Sequence, residues 1–208
     1  MQFGTLSAPQ SDIENELLIR FRKAAQSPQG LFDYPTGRAG LLGLGYPEDF
    51  VASLPERVAE CYCGVGNPFA PGLPETGSHV LDVGCGAGVD ALAAAAFVGP
   101  AGHVSGVEFS PDMLLRAADN ASLCGAGNID LQRGSAELLP YADASFDLLI
   151  SNGVYNLVQD KHRALSEAFR VLKPGGRFQV ADQIRESDQT QACPLPRPGE
   201  TPGALWAK

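Results

Sequence analysis

A parallel α/β sheet with crossover helices is the fold that residues 79–182 predict. Two observations carry it. Short apolar runs alternate with helical stretches from His79 onward, and alternation at this length calls for parallel strands. The first apolar run then ends in Asp82 and breaks into glycine at every second position, Gly84, Gly86 and Gly88. Ahead of this region, residues 1–78 read as a helical and loop extension and a candidate lid, with 28–70 as the cover over a ligand. Behind it, 183–208 read as a Pro-rich loop or mobile tail.

The elements follow in order. Residues 11–26 repeat apolar side chains at helical spacing (Leu17, Leu18, Phe21, Ala25), with Ser11 or Asp12 to cap the start. Residues 27–50 are rich in Gly and Pro and predict irregular chain with a short helix. "PEDFVASLPERVAE" predicts one or two more, and "CYCGVGNPFAPGLPETGS" a loop. "HVLDVG" is the first strand, and "VDALAAAAFVG" a helix ending at Gly99. "GHVSGVEF" is the second strand. The next helix has Ser110 at its N-cap, Pro111 in first place and Gly125 beyond its end. "NIDLQRG" and "SFDLLISN" are the third and fourth strands. "KHRALSEAFRVLKPGG" is a helix stopped by Pro174-Gly175-Gly176, and "RFQVADQI" a fifth strand.

Bulk properties narrow the function. The chain has 208 residues and a net charge of −9. That excludes a nucleic-acid surface, which needs clustered Lys and Arg. The longest basic cluster, Arg20–Lys23, reads as the solvated face of a helix. No apolar run is long enough to span a membrane, and no secretory leader is visible. Five cysteines, an odd number, argue against a disulfide framework and for the cytoplasm. Cys61 and Cys63 lack the further ligands of a zinc site, so no metal is expected.

The glycine turn is where a ligand is expected, at the carboxyl end of a central strand. Glycines there let the chain turn sharply and a ligand approach the backbone. The spacing is Gly-x-Gly-x-Gly. A dinucleotide fingerprint places its third glycine where Val89 stands. Asp82 repels a pyrophosphate and suits an ammonium. Glu108 closes the second strand, where a carboxylate accepts ribose hydroxyls. After the third strand, Ser135 and the main chain of Ala136 stand where an adenine edge can be read.

"VLDVGCGAG", "GVEFSPDML", "GSAELLPYADASFDLLIS" and "EAFRVLKPGGRF" together resemble the class I S-adenosylmethionine (SAM)-dependent methyltransferases over residues 79–182. The resemblance implies a Rossmann-like sheet of order 3-2-1-4-5, SAM as cofactor and a small-molecule methyl acceptor. It implies Asp82, Gly84 and Gly86 around the methionine end, Glu108 at the ribose, and Ser135, Ala136 and Phe109 at the adenine. Cys85, Gly88, Glu137 and Asn152 complete that set. The antiparallel strands that usually close such a sheet are not expected here. No catalytic residue is assigned.

"GVGNPF" and "SNGVYNLVQDKHRALSEAFRVLKPGG" resemble the arsenite methyltransferase branch more narrowly. That branch carries arsenic-ligating cysteines where this chain has Val65 and Gly153, and a third after a Leu-Trp pair. Here Leu205-Trp206 is followed only by Ala207 and Lys208. Methylation by a three-thiolate route is therefore not expected, although Cys61 and Cys63 lie close by. Gly64, Asn67, Tyr155 and Asn156 are candidates for the acceptor side. Tyr155 and Asn156 also read as a loop with a packing aromatic. Tyr34 and Arg38 read as a cap over the cofactor or as packed extension. A non-catalytic SAM-binding module and a nicotinamide-dependent oxidoreductase are the competing readings. SAM and NAD binding separate them.

Overall fold

The computed structural model describes residues 12–184. The Ser11 cap and all but the first two residues of the expected tail, with Cys193 and Leu205-Trp206, lie outside them. Four helices come first: α1 (Asp12–Gln26), α2 (Gly37–Gly43), α3 (Glu48–Ser53) and α4 (Glu56–Ala59). Then follow β1 (His79–Val83), α5 (Val89–Val98), β2 (His103–Glu108), α6 (Pro111–Leu123), β3 (Ile129–Arg133), β4 (Phe146–Asn152), α7 (Lys161–Val171) and β5 (Leu172–Ala181). The strands form one parallel sheet in the order β3-β2-β1-β4-β5, as expected. β1 sits at its centre, so the glycine turn opens where the strand order reverses.

Alternate side chains on each strand feed two cores. Val80, Val104, Leu148 and Ile150 point to one face, where α5 packs. Leu81, Val83, Val107 and Leu149 point to the other, covered by α7 and the loop before β4. α5 is apolar on nearly every side, which a surface helix is not. The N-terminal segment explains it. Leu41, Tyr46, Phe50, Val51, Leu54, Val58, Tyr62 and Phe69 share one core with Ala91–Ala95 and Val98. The extension is therefore the outer cover of α5 and shares its core.

Two expectations need correction. α7 stops at Val171, three residues before the Pro-Gly-Gly stop. Leu172 is already extended and pairs with Phe146. The next pairing is Leu148 with Arg177, so Lys173–Gly176 bulge out of the ladder. Pro174, which has no N–H to give a ladder, suits the bulge, and Lys173 anchors it on Asp147 at 2.8 and 2.9 Å. Arg20, read as solvated, turns inward instead. Its guanidinium donates to the Leu31 carbonyl at 3.2 Å and lies 4.9 Å from the Phe32 ring centre.

Candidate functional site

A cavity of about 950 Å³ lies at the carboxyl ends of the central strands. Gly84–Ala87 after β1, Val107–Phe109 at the end of β2, Gly134–Glu137 after β3 and Asn152–Val154 after β4 line one side of it. Arg20, Phe32, Tyr34 and Tyr62–Val65 of the N-terminal segment line the other. Its size suits a nucleoside-sized ligand.

The glycine turn has the backbone it was expected to need. Gly84 and Gly86 have φ of +71° and +54°, in the left-handed region. A Cβ on Gly84 would stand 2.4 Å from a Val154 methyl, whereas one on Gly86 would meet Met113 and the Gly84 carbonyl oxygen at ordinary contact, 3.7 and 4.0 Å. Gly84 is thus closed by packing, and Gly86 has room for a side-chain carbon. Gly84 and Cys85 both donate their N–H to the Val107 carbonyl, at 2.8 and 3.1 Å. Glu108 then locks the turn. Its two carboxylate oxygens accept the Gly86 N–H at 2.9 Å and the Ser110 N–H at 2.8 Å. Phe109 adds a third backbone bond, so the carboxylate keeps one acceptor site for a ligand hydroxyl.

The other sequence candidates divide. Cys85, Phe109, Ser135, Ala136, Glu137 and Asn152 line the cavity, as do Tyr34, Gly64 and Asn156. Ser135 accepts the Glu137 N–H at 3.1 Å, and Glu137 in turn accepts those of Gln159 and Asp160, at 3.1 and 3.0 Å. Asn156 leaves its buried Oδ1 without a partner among the described residues. Asp82 does not line the cavity. It is buried, takes the Ala91 N–H on the α5 side, and has one oxygen, Oδ2, without a partner among the described residues. Gly88 is the N-cap of α5 and packs on Ala117.

Three candidates leave the site. Arg38 pairs with Glu56 and donates to the carbonyls of Val51 and Leu54, clamping α3 and α4. Asn67 ties Gly45 to Phe69. Tyr155 is core, edge-on to Phe178 with ring centres 5.4 Å apart.

Sequence reading missed a buried polar network. Asp90, in the first turn of α5, accepts from the Tyr46 hydroxyl and, at 3.0 Å, from the Asn152 amide. Asn152 also bonds the backbone of Val65 and Gly66. Burial pushes the Asp90 carboxyl up to about 6, against the lowering pull of its Tyr46 and Asn152 bonds. Burial also raises the Cys63 thiol to about 12, with Glu108 and Asp90 adding to it. The one available signal was an acid opening an otherwise apolar helix.

Residues 74–195, more than half of the chain, match the methyltransferase domain family. The chain belongs to the class I SAM-dependent methyltransferases. It is 40% identical over 161 residues to an arsenite methyltransferase of Halobacterium salinarum, a match covering 77% of this chain and 39% of that protein. It is 39% identical over 109 residues to a demethylmenaquinone methyltransferase of Listeria monocytogenes, covering 52% and 46%. Among solved structures it is similar to an arsenic(III) S-adenosylmethionine methyltransferase from Chlamydomonas reinhardtii. The TM-score there is 0.58 and the identity 38%, over 72% of this chain and 50% of that one. The chain thus spans less than half the length of these two curated relatives.

In this methyltransferase domain, the two positions without the branch's cysteines face each other. A Cβ built on Gly153 would touch both Val65 methyls at 3.4 Å. The pair closes on an apolar contact. Cys61, Cys63 and Cys85 do line the cavity. The Cys61 thiol, however, donates to the Arg57 carbonyl at 3.2 Å. Among the described residues, no three His, Cys, Asp or Glu side chains group to hold a metal ion.

Proposed function

We propose that this domain binds SAM in the cavity and transfers its methyl group to a small-molecule acceptor. Glu108 carries the reading: a buried carboxylate at the end of β2, locked to the glycine turn and lining a nucleoside-sized cavity. The residues present fit the cofactor. Glu108 accepts a ribose hydroxyl, the Ser135–Ala136 backbone with Phe109 holds the adenine, and the turn admits the methionine end. Asp82 and Glu108 bias this region toward a cation. Asp82, buried at the end of β1, has an oxygen without a partner among the described residues. When bound, SAM supplies an electrophilic methyl group on a sulfonium.

The rest is positioning by the chain. Val65, Val154, Tyr62 and Phe32 wall the cavity against water. Both Asp90 oxygens already hold donors, which leaves it poorly placed as a base. Such a site suits a soft or already ionised acceptor, which needs no base. The net charge of −9 supports an acceptor other than nucleic acid, and the odd number of cysteines supports the cytoplasm. No helix among the described residues is long and apolar enough to cross a membrane.

Transfer of labelled methyl from SAM to a panel of thiols, quinols and arsenite tests the reading. Methylation of at least one acceptor is expected. SAM binding with no transfer would leave the non-catalytic module in its place, and no SAM binding would overturn both. Arsenite is a second reading, favoured by the three cavity-lining cysteines. The raised Cys63 thiol and the bonded Cys61 oppose it, so little methylarsenical is expected. Turnover that vanishes in Cys61→Ser or Cys63→Ser would establish it.

A further inference from the structure

Gly64 and Val65 line the cavity, Val65 meets Gly153, and Gly66 behind them completes the backbone turn that shapes this wall. Two glycines around one valine have little of their own to hold a shape. Asn152, the last residue of β4, holds it for them. Its Oδ1 accepts the N–H groups of Val65 and Gly66, at 2.9 and 3.1 Å. Its Nδ2 donates to the Gly66 carbonyl at 2.8 Å and to Asp90 at 3.0 Å. Both hydrogens and both lone pairs of the amide are then in use. Gly64 leaves room for this: a Cβ there would fall 2.3 Å from the Asn152 nitrogen.

Asp90 and the two backbone N–H groups together fix which way the amide faces. A carboxylate only accepts, so the NH2 end must turn toward it. Flipping the amide would set oxygen against oxygen, and NH2 against the N–H groups of Val65 and Gly66. Tyr46 holds Asp90 in place through its other oxygen. Tyr62 adds a second brace, its hydroxyl donating to the Gly66 carbonyl at 2.7 Å.

We propose that Asp90, braced by Tyr46 and acting through Asn152, is a positioning residue that keeps Gly64–Gly66 as a fixed wall on the acceptor side of the cavity. The assignment to the acceptor side rests on the methyltransferase reading; the latch itself does not. Breaking the latch opens the wall and leaves the cofactor half, held by Glu108, intact. The titratable groups around Asp90 are Asp82, Tyr46, Tyr62, Cys63 and Cys85. All lose charge on protonation, so none replaces Asp90 as an anion at lower pH.

Cys63 reports the wall, since it lies beside Gly64 and lines the cavity. The test is its rate of modification by N-ethylmaleimide at fixed neutral pH, mapped by mass spectrometry. It is run on the full chain, on Asp90→Asn and on Tyr46→Phe, alongside calorimetry with S-adenosylhomocysteine. The latch predicts about tenfold faster labelling in Asp90→Asn, a 1.4 kcal/mol easier opening. It predicts a smaller rise in Tyr46→Phe and S-adenosylhomocysteine affinity within about twofold in both. Unchanged labelling in either folded variant overturns it. So does affinity that falls in step with labelling, since Asp90 would then serve the cofactor. If Asp90→Asn does not fold, Tyr46→Phe, which removes one hydroxyl, decides alone. If the parent chain fails to bind S-adenosylhomocysteine, the methyltransferase reading falls, and labelling still judges the latch.

Discussion

On one side of the cavity, Glu108 grips Gly86 across 22 positions of sequence, within a single β-α-β unit. On the other, Asn152 reaches Val65 across 87 positions, and Asp90 reaches Tyr46 across 44. The first wall is set by a strand end, a positive φ and a neighbouring carboxylate. The second exists only after the N-terminal segment has packed on α5 and β4 has taken its place in the sheet. A turn of the first kind needs only its own β-α-β unit, whereas a wall of the second kind depends on what covers α5.

The largest effect should come from the turn. Gly84→Ala drives a methyl into Val154 and adds left-handed strain, whereas Gly86→Ala adds strain alone. In denaturant unfolding, Gly84→Ala should cost roughly 3 kcal/mol or more and Gly86→Ala about 1–2 kcal/mol. Equal costs would mean that the turn is held by φ alone and that Val154 yields.

Asp90 comes next. Its carboxyl is held above 3.8, up to about 6, so the folded chain keeps this proton more tightly than the unfolded chain does. The stability it contributes is full below about pH 4 and is lost as the pH rises through 6. Between pH 4 and 7 the parent should therefore lose about 2 kcal/mol more stability than Asp90→Asn. Parallel pH profiles would show that the buried carboxylate carries no such cost.

Hydrogen exchange sharpens the contrast within the N-terminal segment, whose residues 28–70 were expected to be a lid. Residues 62–66 should be protected before any ligand is added. Residues 29–34, bound to the rest by Arg20 and by the Tyr34 hydroxyl on the Cys63 carbonyl, should slow only with S-adenosylhomocysteine. Ligand-dependent slowing across the whole stretch would restore the lid and remove the fixed wall. The smallest effects belong to residues outside the site. Arg38→Ala should cost about 1–2 kcal/mol in stability, and Tyr155→Phe less. Neither should change S-adenosylhomocysteine affinity, and a clear loss in either would return that residue to the site.

The sheet was legible because each strand and helix announces itself within a dozen residues: Ser110-Pro111 at a helix start, Gly84-x-Gly86 after a buried strand. The end of α7 was not. Pro174 reads as a stop, but the pairing of Leu172 with Phe146 halts the helix first, and that partner lies on another strand. Glu108 was legible from its place at a strand end. Asp90 was hidden because an acid in a helix's first turn reads as a favourable charge at the helix N-terminus. Its partners Tyr46 and Asn152 come together only in three dimensions. Arg38 and Tyr155 stayed open between site and packing for a related reason: polar and aromatic residues near a site in sequence serve packing as readily as ligands.

Calorimetry of S-adenosylhomocysteine binding, on the parent chain and on Glu108→Gln, bears most directly on the cavity as a cofactor site. Glu108→Gln keeps the side chain's shape and one acceptor oxygen but loses the charge. Micromolar binding to the parent is expected, weakened at least tenfold in the variant, about 1.4 kcal/mol or more, as the charge-assisted bond to the ribose is lost. Binding of equal strength in a folded Glu108→Gln variant, or no binding to the parent, would contradict the account.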